Sequence, residues 1–324
     1  MIGRREVDGI PALTLTSADG ELEAAFVPSA GMVGCSLHHQ AEQLLGQRGG
    51  LRSYIERRST MGIPLLHPWA NRIAQARFPV AGGTVDLEDA TTLKRDPNGL
   101  PMHGLLAAAA GWQVDRHVET EDGGVLAASF DFARQEELMG LFPFPHELAF
   151  EASLRGQTLT ITTAVIATGG TSVPISFGYH PYLRLPGVDR SEWKVEVPVR
   201  ERLELDEQML PTGERAPVRV EAGPLGSTTF DDAYLAPEDE AAFVLEGGGR
   251  RIELTVGHGY PFAQVYAPAD DDVVAYEPMT APTNALVAGG SDLPILEPGE
   301  RYEATFTVAI SRAASPSAGR TPRR

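Results

Sequence analysis

The chain has 324 residues, 42% of them hydrophobic and 22% charged, with a formal net charge of −17 at pH 7. That composition belongs to a folded globular chain with ample core, not to a disordered one. The acidic surplus argues against nucleic acid as a partner, because phosphate contacts need a basic face. With Lys94 and Lys194 as the only lysines, imine chemistry has almost no candidates.

From the N-terminus, MIGRREVDGIPALTL has no apolar core after its charges, so no secretory leader is expected. Cys35 is the only cysteine; beside Gly34 in an apolar run it reads as a small core residue. Leu51–Arg58 is compatible with one short helix and residues 133–141 with another. Elsewhere period-two alternation prevails. Leu159, Ile161 and Val165 oppose Thr158, Thr160 and Thr162, and Trp193, Val195, Val197 and Val199 oppose Lys194, Glu196 and Arg200. Ile252, Leu254 and Val256 oppose Arg251, Glu253 and Thr255; Tyr302, Ala304, Phe306, Val308 and Ile310 oppose Glu303, Thr305 and Thr307. Each pattern predicts a half-buried antiparallel strand. Turn signals at Asp19-Gly20, Asp122-Gly123, Gly247-Gly248-Gly249 and Pro298-Gly299 separate them. Residues 157–183 carry no charged side chain, but their threonines, Gly169-Gly170 and Pro174 mark strands, not a membrane helix. The predicted class is all-β, a large sandwich of antiparallel sheets in one domain over residues 1–310. Residues 311–324, with four arginines and no acid, read as a disordered basic tail. A cytoplasmic location, with no nucleic acid and no membrane as partner, follows by elimination.

Four segments break the alternation, and chemistry is expected there. Gly62–Arg77 places Asn71 and Arg72 in a Pro-interrupted loop, where Arg72 offers a fork of donors to an oxygen-rich ligand and His67 is either a structural cap or a pocket rim. Asn98–Leu105 sets His103 beside Gly104, where backbone can approach a ligand closely. Phe230–Tyr234 carries Asp231 and Asp232, either an Asx turn or acceptors for hydroxyls. Ala275–Leu286 sets Glu277 at a strand end after an apolar run, where a carboxylate needs a partner or a purpose. Between them lies VPISFGYHPYLRLPG, in which Pro181 holds His180 extended among Phe177, Tyr179 and Tyr182. Gln264 adds an amide on the upstream strand. Aromatics to cover a pyranose, forks and amides for its hydroxyls, and a Glu/His pair for proton transfer make up the inventory of a sugar site. Tyr179, Gln264, Asn71, Arg72 and Asp231 are the expected sugar contacts.

Five pieces in this order resemble the aldose 1-epimerases, the galactose mutarotases: NRIA at 71–74, the asparagine turn and His-Gly at 98–104, HPYLRL at 180–185, FDDAY at 230–234 and YEPMTAPTNAL at 276–286. The resemblance spans roughly residues 60–290. It implies a β-supersandwich that interconverts the anomers of a free hexose with no metal and no cofactor, as a monomer or homodimer. It further implies Glu277 as base at the anomeric hydroxyl, His180 as acid at the ring oxygen, His103 assisting there, and Arg72, Asn71 and Asp231 holding hydroxyls. The family pattern has His-Gly-Gly where Leu105 follows Gly104 here, and an aromatic and an asparagine where Leu183 and Arg184 stand; both departures bear on sugar preference, and Arg184 hints at a phosphorylated or acidic sugar, although the arginine-rich pattern of the related hexose-6-phosphate mutarotases is not found in the first third of the chain. Rival readings are a glycoside hydrolase using Asp231 and Glu277, a metal enzyme using His103, His180 and a carboxylate, and a non-catalytic carbohydrate-binding protein.

Overall fold

All four alternating runs read from the sequence enter a single antiparallel sheet of nine strands. In the computed structural model, which describes residues 1–237 and 241–313, its order is Gly223–Pro224, Lys194–Glu196, Phe243–Gly247, Arg250–Val256, Arg301–Arg312, Thr158–Ala167, His146–Arg155, Gly123–Asp131 and Gln113–Thr120. The longest strand, Arg301–Arg312, is central. It pairs Phe306 with Ile161 on one side and Val308 with Leu254 on the other, so its apolar face is covered by neighbours of the same kind. The run at 193–200 keeps its alternating burial but is hydrogen-bonded only over Lys194–Glu196; Pro198 has no N–H to continue a ladder. Ser311 and Arg312 pair with Arg251 and Arg250, so the last strand runs two residues into the predicted tail, whose remainder, 314–324, lies outside the described residues.

A second sheet packs against this one. Its strands run Pro211–Pro217, Glu201–Leu205, Phe230–Leu235, Phe262–Ala267, Val274–Met279, Gly178–Tyr179 and Leu65–Leu66, with Tyr182–Leu183 also pairing Val274–Met279. Aromatic side chains join the layers: Tyr179 packs on Phe306 with ring centroids 5.0 Å apart, and Tyr276 stacks on Phe243 at 4.9 Å. The first 43 residues form a five-stranded meander. Cys35 is buried in it, with burial pushing its thiol up to about 11, as suits an inert core side chain. The short helices are Gly50–Arg57, Glu136–Leu141 and Ala285–Ala288. The second is shorter than the sequence suggests because Gln135 is extended and separates it from a 3₁₀ turn at Phe132–Arg134. No helix among the described residues is long and apolar enough to cross a membrane.

His67 is neither cap nor rim. It is buried against Phe132 and Phe177, and its Nε2 lies 2.8 Å from Nε2 of His146. His146 Nδ1 donates to the Phe144 carbonyl at 2.6 Å, which leaves Nε2 of His146 to accept from His67. Both rings are therefore neutral donors and acceptors inside an apolar shell. Burial drives the pKa of His67 well below 6.5 and that of His146 down to about 4.

This pair sets a pH limit on stability. Both histidines have a folded pKa below the unfolded value of about 6.5, so the unfolded chain binds protons first as pH falls. Stability is complete above that value and is lost toward pH 4, at up to about 1.4 kcal/mol per pH unit for each histidine. Urea unfolding at pH 7.5, 6 and 5 should show a falling midpoint. His146→Asn, whose amide can still reach the Phe144 carbonyl, should lose part of that slope; an unchanged slope would show that the pair does not contribute.

Candidate active site

The second sheet builds the site by parity. Successive side chains of a strand point to opposite faces. Tyr276 goes to the interlayer core, where its hydroxyl donates to the Val244 carbonyl at 2.6 Å, so Glu277 faces the other way. Register pairs Glu277 with Gln264, Gln264 with Ala233, Tyr266 with Asp231, and Ala275 with both Tyr266 and Tyr182. Asp231, Gln264, Tyr266, Glu277 and Tyr182 accordingly share one face. The same parity separates Tyr179 from His180. Gly178 makes this crossing possible: a Cβ there would lie 2.6 Å from the Pro278 carbonyl oxygen and 3.0 Å from the Ala70 Cβ.

Two loops complete the walls. Asn71 and His103 both take left-handed backbone, with φ of 54° and 65°, and the His103 amide donates to the Asn71 carbonyl at 2.9 Å. Gly104 follows at φ 70°, where a Cβ would collide with the His67 carbonyl oxygen at 2.2 Å. The His-Gly pair is thus a reversal that points one imidazole inward while the backbone crosses under His67. Asp96, buried, accepts from Arg72 Nε at 3.0 Å. Its other oxygen caps the Asn98-Gly99 turn through the Asn98 and Leu100 amides at 2.9 and 2.8 Å. One carboxylate therefore fixes both a turn and the guanidinium. Arg72 Nη1 also donates to Asn71 Oδ1 at 2.9 Å.

The result is a hollow of about 380 Å³, within the roughly 300–1,000 Å³ range of small-molecule sites. Six residues singled out in the sequence line it: Asn71, Arg72, His103, His180, Asp231 and Glu277. Two do not. Tyr179 turns into the core and its hydroxyl bonds Thr163 Oγ1 at 2.6 Å. Gln264 shares the face of Glu277 but is buried and does not line the hollow; it donates to Asp231 Oδ1 at 2.7 Å, so it holds a wall residue in place. Arg184 also lies outside the lining. In exchange the structure brings in Arg48, Lys94, Tyr182 and Tyr266. The two tyrosines sit beside sequence-selected residues on their strands; Arg48 and Lys94 come from loops with no periodic pattern. Asp96 had a usable signal, since Asp-Pro-Asn-Gly is an Asx-turn sequence.

At the centre, His180 Nε2 lies 3.1 Å from Glu277 Oε1, and both side chains are at least 94% buried. The imidazole stacks on Tyr182 with centroids 4.0 Å apart; the His103 ring meets its edge at 5.6 Å. Burial, with Asp231 adding to it, holds the Glu277 carboxyl well above the usual carboxylate range against the pull of Arg72 and Lys94. Burial, Lys94 and Arg48 hold His180 well below 6.5, and burial does the same to His103. Both shifts favour uncharged forms, in which the Glu277 carboxyl proton is the one available to the His–Glu contact. Nδ1 of His180 and of His103 are buried without a protein partner, a cost of about 1–3 kcal/mol per group that a bound ligand can remove. Among the described residues no three His, Cys, Asp or Glu side chains converge as a metal site.

The family model for aldose 1-epimerase matches residues 27–309. The chain belongs to the aldose 1-epimerase family. Its fold is that of a galactose mutarotase-like protein from Clostridium acetobutylicum, with a TM-score of 0.83 at 19% identity over 97% of this chain and 99% of the other. A galactose 1-epimerase from Lactobacillus acidophilus superposes with a TM-score of 0.76 at 15% identity over 97% and 99% of the two chains. An aldose epimerase homologue from C. elegans gives 0.71 at 16% identity over 97% and 100%. At these identities the likeness carries the fold alone. No curated protein matches the chain.

Two substitutions separate scaffold from site. Asp96→Ala removes a buried partner of Arg72 and should cost about 3–5 kcal/mol. Tyr179→Phe leaves the Thr163 hydroxyl unmatched and should cost about 1–3 kcal/mol while leaving sugar binding intact. Denaturation and calorimetric titration with a methyl galactoside check both. Weakened binding in Tyr179→Phe would return that residue to the pocket.

Proposed function

We propose that the protein is an aldose 1-epimerase that interconverts the α and β anomers of a free hexose by acid–base ring opening and closure. The observation that carries this reading is the buried His180–Glu277 contact at 3.1 Å inside a hollow lined by hydrogen-bonding side chains, in a chain of this family.

Opening a cyclic hemiacetal requires one proton to leave the anomeric hydroxyl and one to reach the ring oxygen. A proton moved from the Glu277 carboxyl to the His180 imidazole along their contact leaves a carboxylate and an imidazolium. The carboxylate takes the hydroxyl proton; the imidazolium protonates the ring oxygen as the C1–O5 bond breaks. The resulting aldehyde rotates about C1–C2. Closure then runs in reverse: the imidazole accepts from the O5 hydroxyl as O5 attacks C1, and the carboxyl returns a proton to O1. Each group ends as it began. Arg72 and Lys94 favour the carboxylate form of Glu277 electrostatically, and His103 stands against the His180 edge to assist at the ring oxygen. Asn71, Arg72 and Asp231 hold hydroxyls, with Tyr266 as an apolar surface for the sugar's C–H face.

Single positioned acids or bases contribute roughly 10²–10⁴-fold. Polarimetry on freshly dissolved α-D-galactose and α-D-glucose should show accelerated equilibration, and Glu277→Gln and His180→Asn should each fall by about that factor. Full activity in Glu277→Gln would refute the mechanism. The pH profile adds an independent check. With Glu277 raised and His180 held well below 6.5, kcat/KM should show no break at the ordinary imidazole value near 6.5. A curve titrating there like a free imidazole would contradict the uncharged pair.

A further inference from the structure

Arg48, Tyr182 and Lys94 line the hollow with more donors than acceptors, and Thr60, which does not line it, ties them together. Arg48 Nη1 donates to the Tyr182 hydroxyl at 3.1 Å, Tyr182 bonds Thr60 Oγ1 at 2.7 Å, and Lys94 Nζ donates to Thr60 Oγ1 at 3.3 Å. Two cations are thus joined end to end through two buried hydroxyls. Between the hydroxyls only one proton is used, whichever donates, so the other remains to be accepted. Lys94 has two further N–H donors and an acceptor for neither among these contacts. Among the described residues no carboxylate lies within ion-pair reach of Lys94, whereas Arg48 meets Asp271 at 3.3 Å and Arg72 meets Asp96. Asp231, on the far side with Arg72 and Gln264, does not balance this wall. Burial and the neighbouring Arg48 bring the Lys94 ammonium down to about 8 against the pull of Glu277, which makes no ion pair with it, as for a cation whose charge is only partly balanced.

We propose that the row Arg48–Tyr182–Thr60–Lys94 is a seat for an anionic substituent of the sugar, a carboxylate or a phosphate, so that the preferred substrate is an acidic aldose and not a neutral hexose. An acceptor-only group with two or more oxygens fits a row of donors; a neutral hydroxyl would add another donor. The phosphate arm requires attachment away from C1, since an esterified anomeric oxygen cannot open. Position adds a consequence for the chemistry. His180 stacks on Tyr182, and burial first, then Lys94 and Arg48, hold the pKa of its imidazole down. A bound anion offsets the part that comes from Lys94 and Arg48, and so eases placement on His180 of the proton that ring opening needs. This inference rests on the epimerase reading for turnover, but not for binding.

The test uses both readouts. Anomer equilibration by NMR would compare D-galacturonate, D-glucuronate and D-glucose 6-phosphate with D-galactose and D-glucose. Calorimetry would compare methyl α-D-galactopyranosiduronate with methyl α-D-galactopyranoside, locked glycosides that bind without reacting. At least one charged sugar should exceed its neutral parent by about tenfold or more in kcat/KM, and the charged glycoside should bind about tenfold tighter, as one to two charge-assisted hydrogen bonds allow. Which of the carboxylate and phosphate arms responds identifies the anion. Lys94→Met should collapse the charged-to-neutral ratio and Lys94→Arg should keep most of it. Equal binding and equal turnover of charged and neutral sugars by the wild type overturn the seat, as does a ratio unaffected by Lys94→Met. Charge-selective binding with no turnover of any sugar would leave the seat standing and remove the epimerase reading instead.

Discussion

The site depends on one contact, that between the His180 imidazole and the Glu277 carboxyl. Two groups that would each prefer water are held 3.1 Å apart in near-complete burial. Separately, neither could stay charged there without a penalty of several kcal/mol. Together they need only one proton between them, and either placement of that proton leaves both hydrogen-bonded. The backbone that enforces this is the antiparallel pairing of segments about a hundred residues apart: Gly178 opposite Met279 and Tyr182 opposite Ala275. With Pro181 lacking an amide hydrogen between them, His180 sits where the ladder opens and its ring can turn toward Glu277.

Around that contact, charged groups are positioned by side chains that do not themselves line the hollow. Asp96 clamps Arg72 and a turn at once, Asp271 meets Arg48, and Gln264 holds Asp231. Lys94 differs in having no acid of its own, which is why the donor-rich wall stands apart from the rest of the lining. The core obeys a different logic. His67 and His146 form an equally close pair, but their neighbours are phenylalanines, and they face no hollow. A close histidine contact thus lies in the apolar core in one place and lines the hollow in the other; the presence of titratable neighbours distinguishes them.

Local pattern in the sequence was enough for four of the nine strands of the main sheet, because period two is a property of each strand by itself. It was also enough for the segments where the pattern fails, since Pro181, Gly104 and the Asn98-Gly99 turn impose backbone geometry wherever they occur. His180, His103, Glu277, Arg72, Asn71 and Asp231 all belong to those segments, and all six line the hollow. The misplacements were of another kind. Tyr179 and Gln264 belong to the right strands, but a one-residue difference in parity sends Tyr179 into the core, and Gln264, though on the right face, is buried with its amide on Asp231.

What the sequence by itself determined, then, was the fold class and the segments from which the chemistry comes, because alternation, turn residues and proline act over a few residues and need no partner. Only the tertiary structure decided that Glu277 touches His180 directly, that Asp96 and not a substrate group holds Arg72 Nε, and that Arg48 and Lys94 join one wall through Tyr182 and Thr60. Those contacts link residues 24 to 134 positions apart. Their distances are set by register and loop closure, which no local pattern encodes.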